Sequence, residues 1–205
     1  PESIVGFTKF IVFFKLDSDP EILELLSDKI KKSIGQFSVD ELLTVLVNFS
    51  FTLSPESNAL FDEVNMEFVE RFDTNYSPTT KDLLMQPEDY IKILNTLLDH
   101  NKMQDELKMV FLQYLESNTA NMKYEIWAEL AVIFASKMDT THQKMFFLAF
   151  KDMFLKDLKY LSSESLYKIV WSLVKSKAII VSDEGQEWNI IKDSIIKKVK
   201  ELEPQ

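Results

Sequence analysis

Apolar residues recur at helical spacing along most of this chain, each run introduced by polar punctuation. Ser38-Val39-Asp40-Glu41 precedes Leu42, Leu43, Val45, Leu46 and Phe49, and Gln86-Pro87-Glu88-Asp89 precedes Tyr90, Ile91, Ile93, Leu94 and Leu97. Ser162-Ser163-Glu164-Ser165 precedes Leu166, Tyr167, Ile169, Val170 and Leu173 in the same way. A small polar residue or proline followed by acids and a 3.6-residue apolar period marks a helix start. These segments align position by position without gaps, the self-similarity expected of a repeat array. A further start at residues 121–126 leads into Trp127, Leu130, Ile133 and Phe134, its register open by one residue.

Each start is followed by a second amphipathic segment, predicted over residues 19–34, 55–72, 103–115, 140–158 and 183–202. With residues 4–14 as the first helix, the pattern predicts an all-α chain: one domain, a right-handed superhelical array of about five antiparallel hairpins of roughly 40 residues each. The hairpins fall approximately at 1–37, 38–85, 86–120, 121–161 and 162–205. An irregular helical bundle is the alternative, because apolar stripes alone mean a core in either architecture. Residues 73–86 read as a polar loop and as the most mobile part of the chain.

Composition narrows the chemistry. Only three glycines occur and they are isolated, so no glycine-rich loop exists to bring backbone N–H groups against a phosphate. There is no cysteine, which removes thiolate metal sites and a cysteine nucleophile. No Gly-x-Ser-x-Gly elbow is present, and His100 and His142 are the only histidines. Asp139-Thr140-Thr141-His142 spaces a carboxylate and an imidazole as a metal site would, but Asp139 or Thr140 is the natural cap of the following helix, with His142 in its exposed first turn. His100 ends a helix, where a cation suits the macrodipole. Acid pairs at Asp40-Glu41, Glu88-Asp89 and Asp183-Glu184 stand at helix starts, where the dipole explains them without catalysis. The expectation is a non-enzyme without metal or cofactor.

The formal charge of −10 lies in the middle of the chain: residues 38–125 hold 16 acids against 6 bases, whereas residues 126–205 hold 11 acids and 12 bases. Arg71 is the single arginine, so bidentate phosphate clamps are scarce. A polyanion would have to use lysines as point charges, and the candidate surface is Lys168, Lys175, Lys177, Lys192, Lys197, Lys198 and Lys200. A solvated lysine face is the alternative reading.

Two stretches are unusually apolar. Residues 4–14 place Ile4, Val5, Phe7, Phe10, Ile11, Val12, Phe13 and Phe14 almost all round one helix, interrupted by Thr8 and Lys9. Such a helix is a core element, a partner surface, or the seat of further repeats upstream; Ile4, Phe7, Phe10, Ile11, Phe13 and Phe14 are the candidate protein-interface residues. The stretch from Met145 to Leu158 (Met145, Phe146, Phe147, Leu148, Phe150, Met153, Phe154, Leu155, Leu158) is expected to be plain core, and Trp188 stands between core and interface. The apolar run at 4–14 is too short for a membrane span of about 20 residues and contains Lys9. A chain without a membrane span is expected; the start also lacks the basic and small-residue pattern of a signal peptide, but the residues do not fix a location, and an intracellular setting is taken only as the expectation.

The segment Ile169-Val170-Trp171-Ser172-Leu173-Val174-Lys175-Ser176, followed by Asp183-Glu184, resembles the hairpin of the FAST-kinase-like and octotricopeptide organellar repeat proteins. The run Asn58-Ala59-Leu60-Phe61-Asp62-Glu63-Val64 through Phe68-Val69-Glu70-Arg71-Phe72-Asp73 is similar to their second helix. The resemblance implies that Trp171 and Leu173 pack within the first helix of a repeat and that Asp183-Glu184 opens the second. It also implies a mitochondrial or chloroplast setting and a role in RNA handling or organellar assemblies. The acidic balance and lone arginine weigh toward a protein-docking scaffold, with RNA binding through the C-terminal lysines as the alternative.

Overall fold

The computed structural model describes residues 2–13, 19–50, 55–72, 85–182 and 185–201. Among them the chain is helical, without a strand. The helices are α1 (Glu2–Phe13), α2 (Pro20–Lys31), α3 (Val39–Phe49), α4 (Pro55–Phe72), α5 (Pro87–Asp99), α6 (Asp105–Ser117), α7 (Tyr124–Lys137), α8 (Thr140–Asp157), α9 (Ser163–Lys175) and α10 (Gln186–Glu201). Short 3-10 turns follow α2 at Ile34–Gln36, α6 at Thr119–Asn121 and α8 at Leu158–Tyr160. Most of the expected 73–86 loop, the Asp183-Glu184 pair and Phe14 lie outside the described residues.

The helix starts form for the reasons the punctuation suggests. Ser38 and Glu41 make a reciprocal capping box: the Ser38 hydroxyl accepts from the Glu41 N–H at 3.3 Å, and the Glu41 carboxylate accepts from the Ser38 N–H at 2.8 Å. At α5 the Asp89 carboxylate accepts from the Gln86 N–H at 2.8 Å, with Pro87 at the first helical position. Ser162 caps α9 through the Ser165 N–H at 3.1 Å. The uncertain start proves to be α7, entered from Lys123 without a side-chain cap.

The chain divides into two compact units, Pro1–Leu115 and Glu116–Gln205. In the first unit α1 packs on α2 and α3, α3 packs on α4 and α5, and α2 packs on α4. Its core includes Ile30, Phe37, Leu42, Val45, Leu46, Leu60, Val64 and Phe68. Phe72, Tyr90, Phe111 and Tyr114 join α4, α5 and α6 in one aromatic cluster, and the Tyr90 and Tyr114 hydroxyls lie 2.7 Å apart. Arg71 is buried here. Its Nε donates to Glu67 Oε1 at 2.7 Å and its Nη2 to the Phe37 carbonyl at 2.7 Å, tying α4 to the turn before α3.

In the second unit α7 packs on α8 and α9, and α10 packs on α8, α9 and the Leu158–Tyr160 turn. The core is aromatic: Trp127 and Phe134 of α7 meet Phe146, Phe150 and Phe154 of α8. The expectation that all of 145–158 is core needs correction, because Leu148 is 86% exposed and Met145 is also exposed. Tyr124 ties the start of α7 to the end of α8, its hydroxyl donating to Asp157 Oδ2 at 2.6 Å.

That bond, aided by burial, pushes the Tyr124 phenol up to about 12. An unfolded phenol titrates near 10, so the folded chain holds this proton more tightly. The stabilising contribution is full below about pH 10 and is lost as pH rises through about 12. Tyr124→Phe is therefore expected to differ from wild type by a constant margin below pH 9, with the margin shrinking between pH 10 and 12. Urea unfolding across that range measures it; a margin that does not change with pH would contradict the bond.

Candidate functional site

The first helix resolves into two faces. Val5, Thr8 and Ile11 are buried against α2 and α3, spaced at i, i+3 and i+6 as one helical stripe requires. Thr8, an apparent interruption in the sequence, is part of this inner face. Its hydroxyl donates to the Val5 carbonyl at 2.8 Å and accepts from Asn48 Nδ2 of α3 at 2.8 Å, so the buried polar atoms are satisfied.

The other face points outward. Phe7, Phe10 and Phe13 are 55%, 46% and 79% exposed, while Ile4 is half-buried and Ile11 is core. The Phe7 and Phe10 rings stack at 5.7 Å. Beside them Ile4 and Phe7 of α1 and Ile22, Leu25 and Leu26 of α2 line a shallow cleft of about 330 Å³, with Ser3 and Lys29 at its edge. Fully burying one such side chain is worth about 1.5–3 kcal/mol, so a row of exposed phenylalanines is a substantial reserve of binding energy.

The predicted lysine surface is partly neutralised by its neighbours. Lys168 of α9 donates to Glu129 of α7 at 2.5 Å and to Glu164 at 2.6 Å; these two contacts, Glu129 first, raise its pKa, and Lys168 in turn lowers that of Glu164. Lys198 reaches Glu201 at 2.8 Å, and Lys197 approaches the same carboxylate at 4.0 Å. Lys175, Lys177 and Lys200 make no ion pair among the described residues, and Lys192 is exposed on α10. Seven lysines in sequence thus become a sparser set of positive charge in space.

Compared with known proteins, the chain matches no family model, no curated protein and no solved structure. Among the described residues no helix is long and apolar enough to cross a membrane. What the chain offers chemically must therefore be taken from its own side chains.

His100, His142 and the Asp40-Glu41 and Glu88-Asp89 pairs stand at helix ends. Asp139 caps α8, accepting from the Thr141 and His142 N–H groups at 3.1 and 3.2 Å, and its second oxygen lies 2.8 Å from His142 Nδ1. His142 is buried, not exposed as its first-turn position suggests, because the bond to Asp139 folds the ring inward. His100 is the C-cap residue of α5. Lys92 of α5 donates across to Asp40 Oδ1 at 2.8 Å, and this hydrogen bond, the largest cause, raises the Lys92 pKa. Trp188 is half-buried.

Sequence reasoning missed one surface. Leu173 is buried, but Trp171, which the resemblance pairs with it as a packing residue, is 37% exposed and stands with Tyr167, Val170 and Val174 on a second apolar stripe of α9. The signal was present as i, i+3, i+4, i+7 spacing, offset from the core stripe Leu166, Ile169, Leu173.

Proposed function

We propose that this chain is a non-catalytic helical-repeat scaffold that docks protein partners within a larger assembly. The observation that carries this reading is the exposed phenylalanine face of α1, held rigidly by a satisfied inner stripe. The repeat architecture is supported by packing in which first helices stack on first helices (α1 on α3, α3 on α5; α7 on α9) and second on second (α2 on α4; α8 on α10). A right-handed array of hairpins has this neighbour pattern. The resemblance to FAST-kinase-like and octotricopeptide proteins favours an organellar, mitochondrial setting.

The test is Phe10→Asp combined with Phe13→Asp. Both side chains point outward, so the double variant is expected to keep its helical circular dichroism and to lose no more than about 1 kcal/mol in urea unfolding. Wild type is expected to self-associate on sizing columns or bind a hydrophobic dye, and the variant to do neither. An unfolded variant, or wild type as inert as the variant, would remove α1 as a docking face.

A further inference from the structure

The face between α9 and α10 has the makings of a receptor groove. Helix α10 runs for 16 residues yet buries only Ile191 and Ser194, leaving Ile190, Ile195, Ile196 and Val199 exposed. Helix α9 carries its two stripes, and the second faces the same side as Ile195 and Val199 of α10. Together Tyr167, Val170, Trp171, Val174, Ile195 and Val199 line an open apolar groove of about 570 Å³.

Its length and rim define an occupant. On α9 the lining runs from Ser163 to Lys175, which at 1.5 Å per residue is about 18 Å, or three to four turns of an opposing helix. Among the described residues the floor is Leu166, Val170, Trp171, Val174, Ile195 and Val199, without the converging polar groups that orient a small molecule. The charged side chains lining it among the described residues are Lys175 and Lys198, with no acid beside them. Lys198 is answered by Glu201, whereas Lys175 makes no ion pair among the described residues. A helix laid in this groove therefore meets apolar surface along its centre and positive charge at its margin.

We propose that the α9/α10 groove receives an amphipathic helix from a partner protein, one with an apolar stripe flanked by acidic residues. Apolar anchors at i, i+3, i+4 and i+7 pack over Trp171 and its neighbours, and an acidic flank pairs with Lys175. Lysine at the rim selects acidic over basic partners by charge and speeds encounter at low salt. The inference deepens the scaffold reading and rests on it, but it uses a surface separate from α1.

The test uses the full chain and a designed probe: an 18-residue fluorescent peptide with leucines at helical spacing and glutamates elsewhere, beside a twin carrying lysines instead. Fluorescence anisotropy is expected to show binding of the glutamate peptide and markedly weaker binding of the lysine twin. Trp171→Ala is expected to weaken the glutamate peptide about 30-fold, as an aromatic anchor does. Tyr167→Asp, at a more exposed position, repeats the loss if Trp171→Ala disturbs the fold. Lys175→Glu is expected to narrow or reverse the preference between the two peptides. The proposal fails if neither peptide binds, if both bind equally, or if Trp171→Ala instead abolishes concentration-dependent association of the chain with itself. Phe10→Asp with Phe13→Asp is expected to leave peptide affinity unchanged, so failure at the groove and failure at α1 are read separately.

Discussion

Arg71→Ala is expected to destabilise the protein by about 3–5 kcal/mol, because it leaves the buried Glu67 carboxylate without its partner. Both side chains are almost wholly removed from solvent, and the guanidinium also satisfies the Phe37 carbonyl. The loss therefore combines an unpaired buried charge with an unsatisfied backbone acceptor. The pair itself contributes far less than its rupture costs. Arg71 Nη1 is buried with no hydrogen-bond partner among the described residues, so some desolvation goes uncompensated. Replacing both residues, Arg71→Met with Glu67→Leu, is thus expected to come within about 2 kcal/mol of wild type, and a double-mutant cycle in urea measures the coupling. Equal losses for the single and double variants would show that shape, not charge, is what Arg71 supplies.

Phe146→Ala is expected to cost a similar amount, about 3–5 kcal/mol, in the other unit. Phe146 is fully buried and stacks on Phe134 at 4.1 Å with an interplanar angle of 10°. Trp127, Phe147, Phe150 and Phe154 surround it with ring centroids 5.0 to 6.3 Å away. Neighbours this closely packed cannot collapse into the space a missing ring leaves, so the cavity cost adds to the lost transfer energy. Leu148→Ala is the control: two positions along the same helix, its side chain is largely in water, and the change is expected to stay within about 0.5 kcal/mol. Equilibrium unfolding followed by tryptophan fluorescence separates the two cases. A costly Leu148→Ala would mean that this face of α8 is covered in solution.

That contrast marks how far sequence reading reached. Helix starts were legible because a cap is local chemistry: Ser38 with Glu41, Asp89 below Gln86, and Ser162 all act within one turn. The helical character of the described residues was legible because the apolar spacing repeats. Facing was not, wherever a helix is apolar on several sides. In α1 and α8 the period places residues on common stripes but does not say which stripe meets a neighbour, so Ile11 and Leu148 look equivalent until packing separates them. Polar residues in the interior were also hidden. Thr8, His142 and Arg71 are buried because each finds a partner, either far away in sequence or just upstream: Asn48, Asp139, and Glu67 with Phe37. Trp171 is the converse, a large apolar residue left in the open by a core already complete with Leu166, Ile169 and Leu173.

Within each unit the principal packing partners of a helix lie one or two places along the chain. Apart from the connections between α4 and α5 and between α9 and α10, the links between successive helices are short, so little chain entropy must be surrendered before the first stabilising contacts form. A chain wired in this way folds quickly for its size, and its early helices have their partners at hand while later ones are still being synthesised.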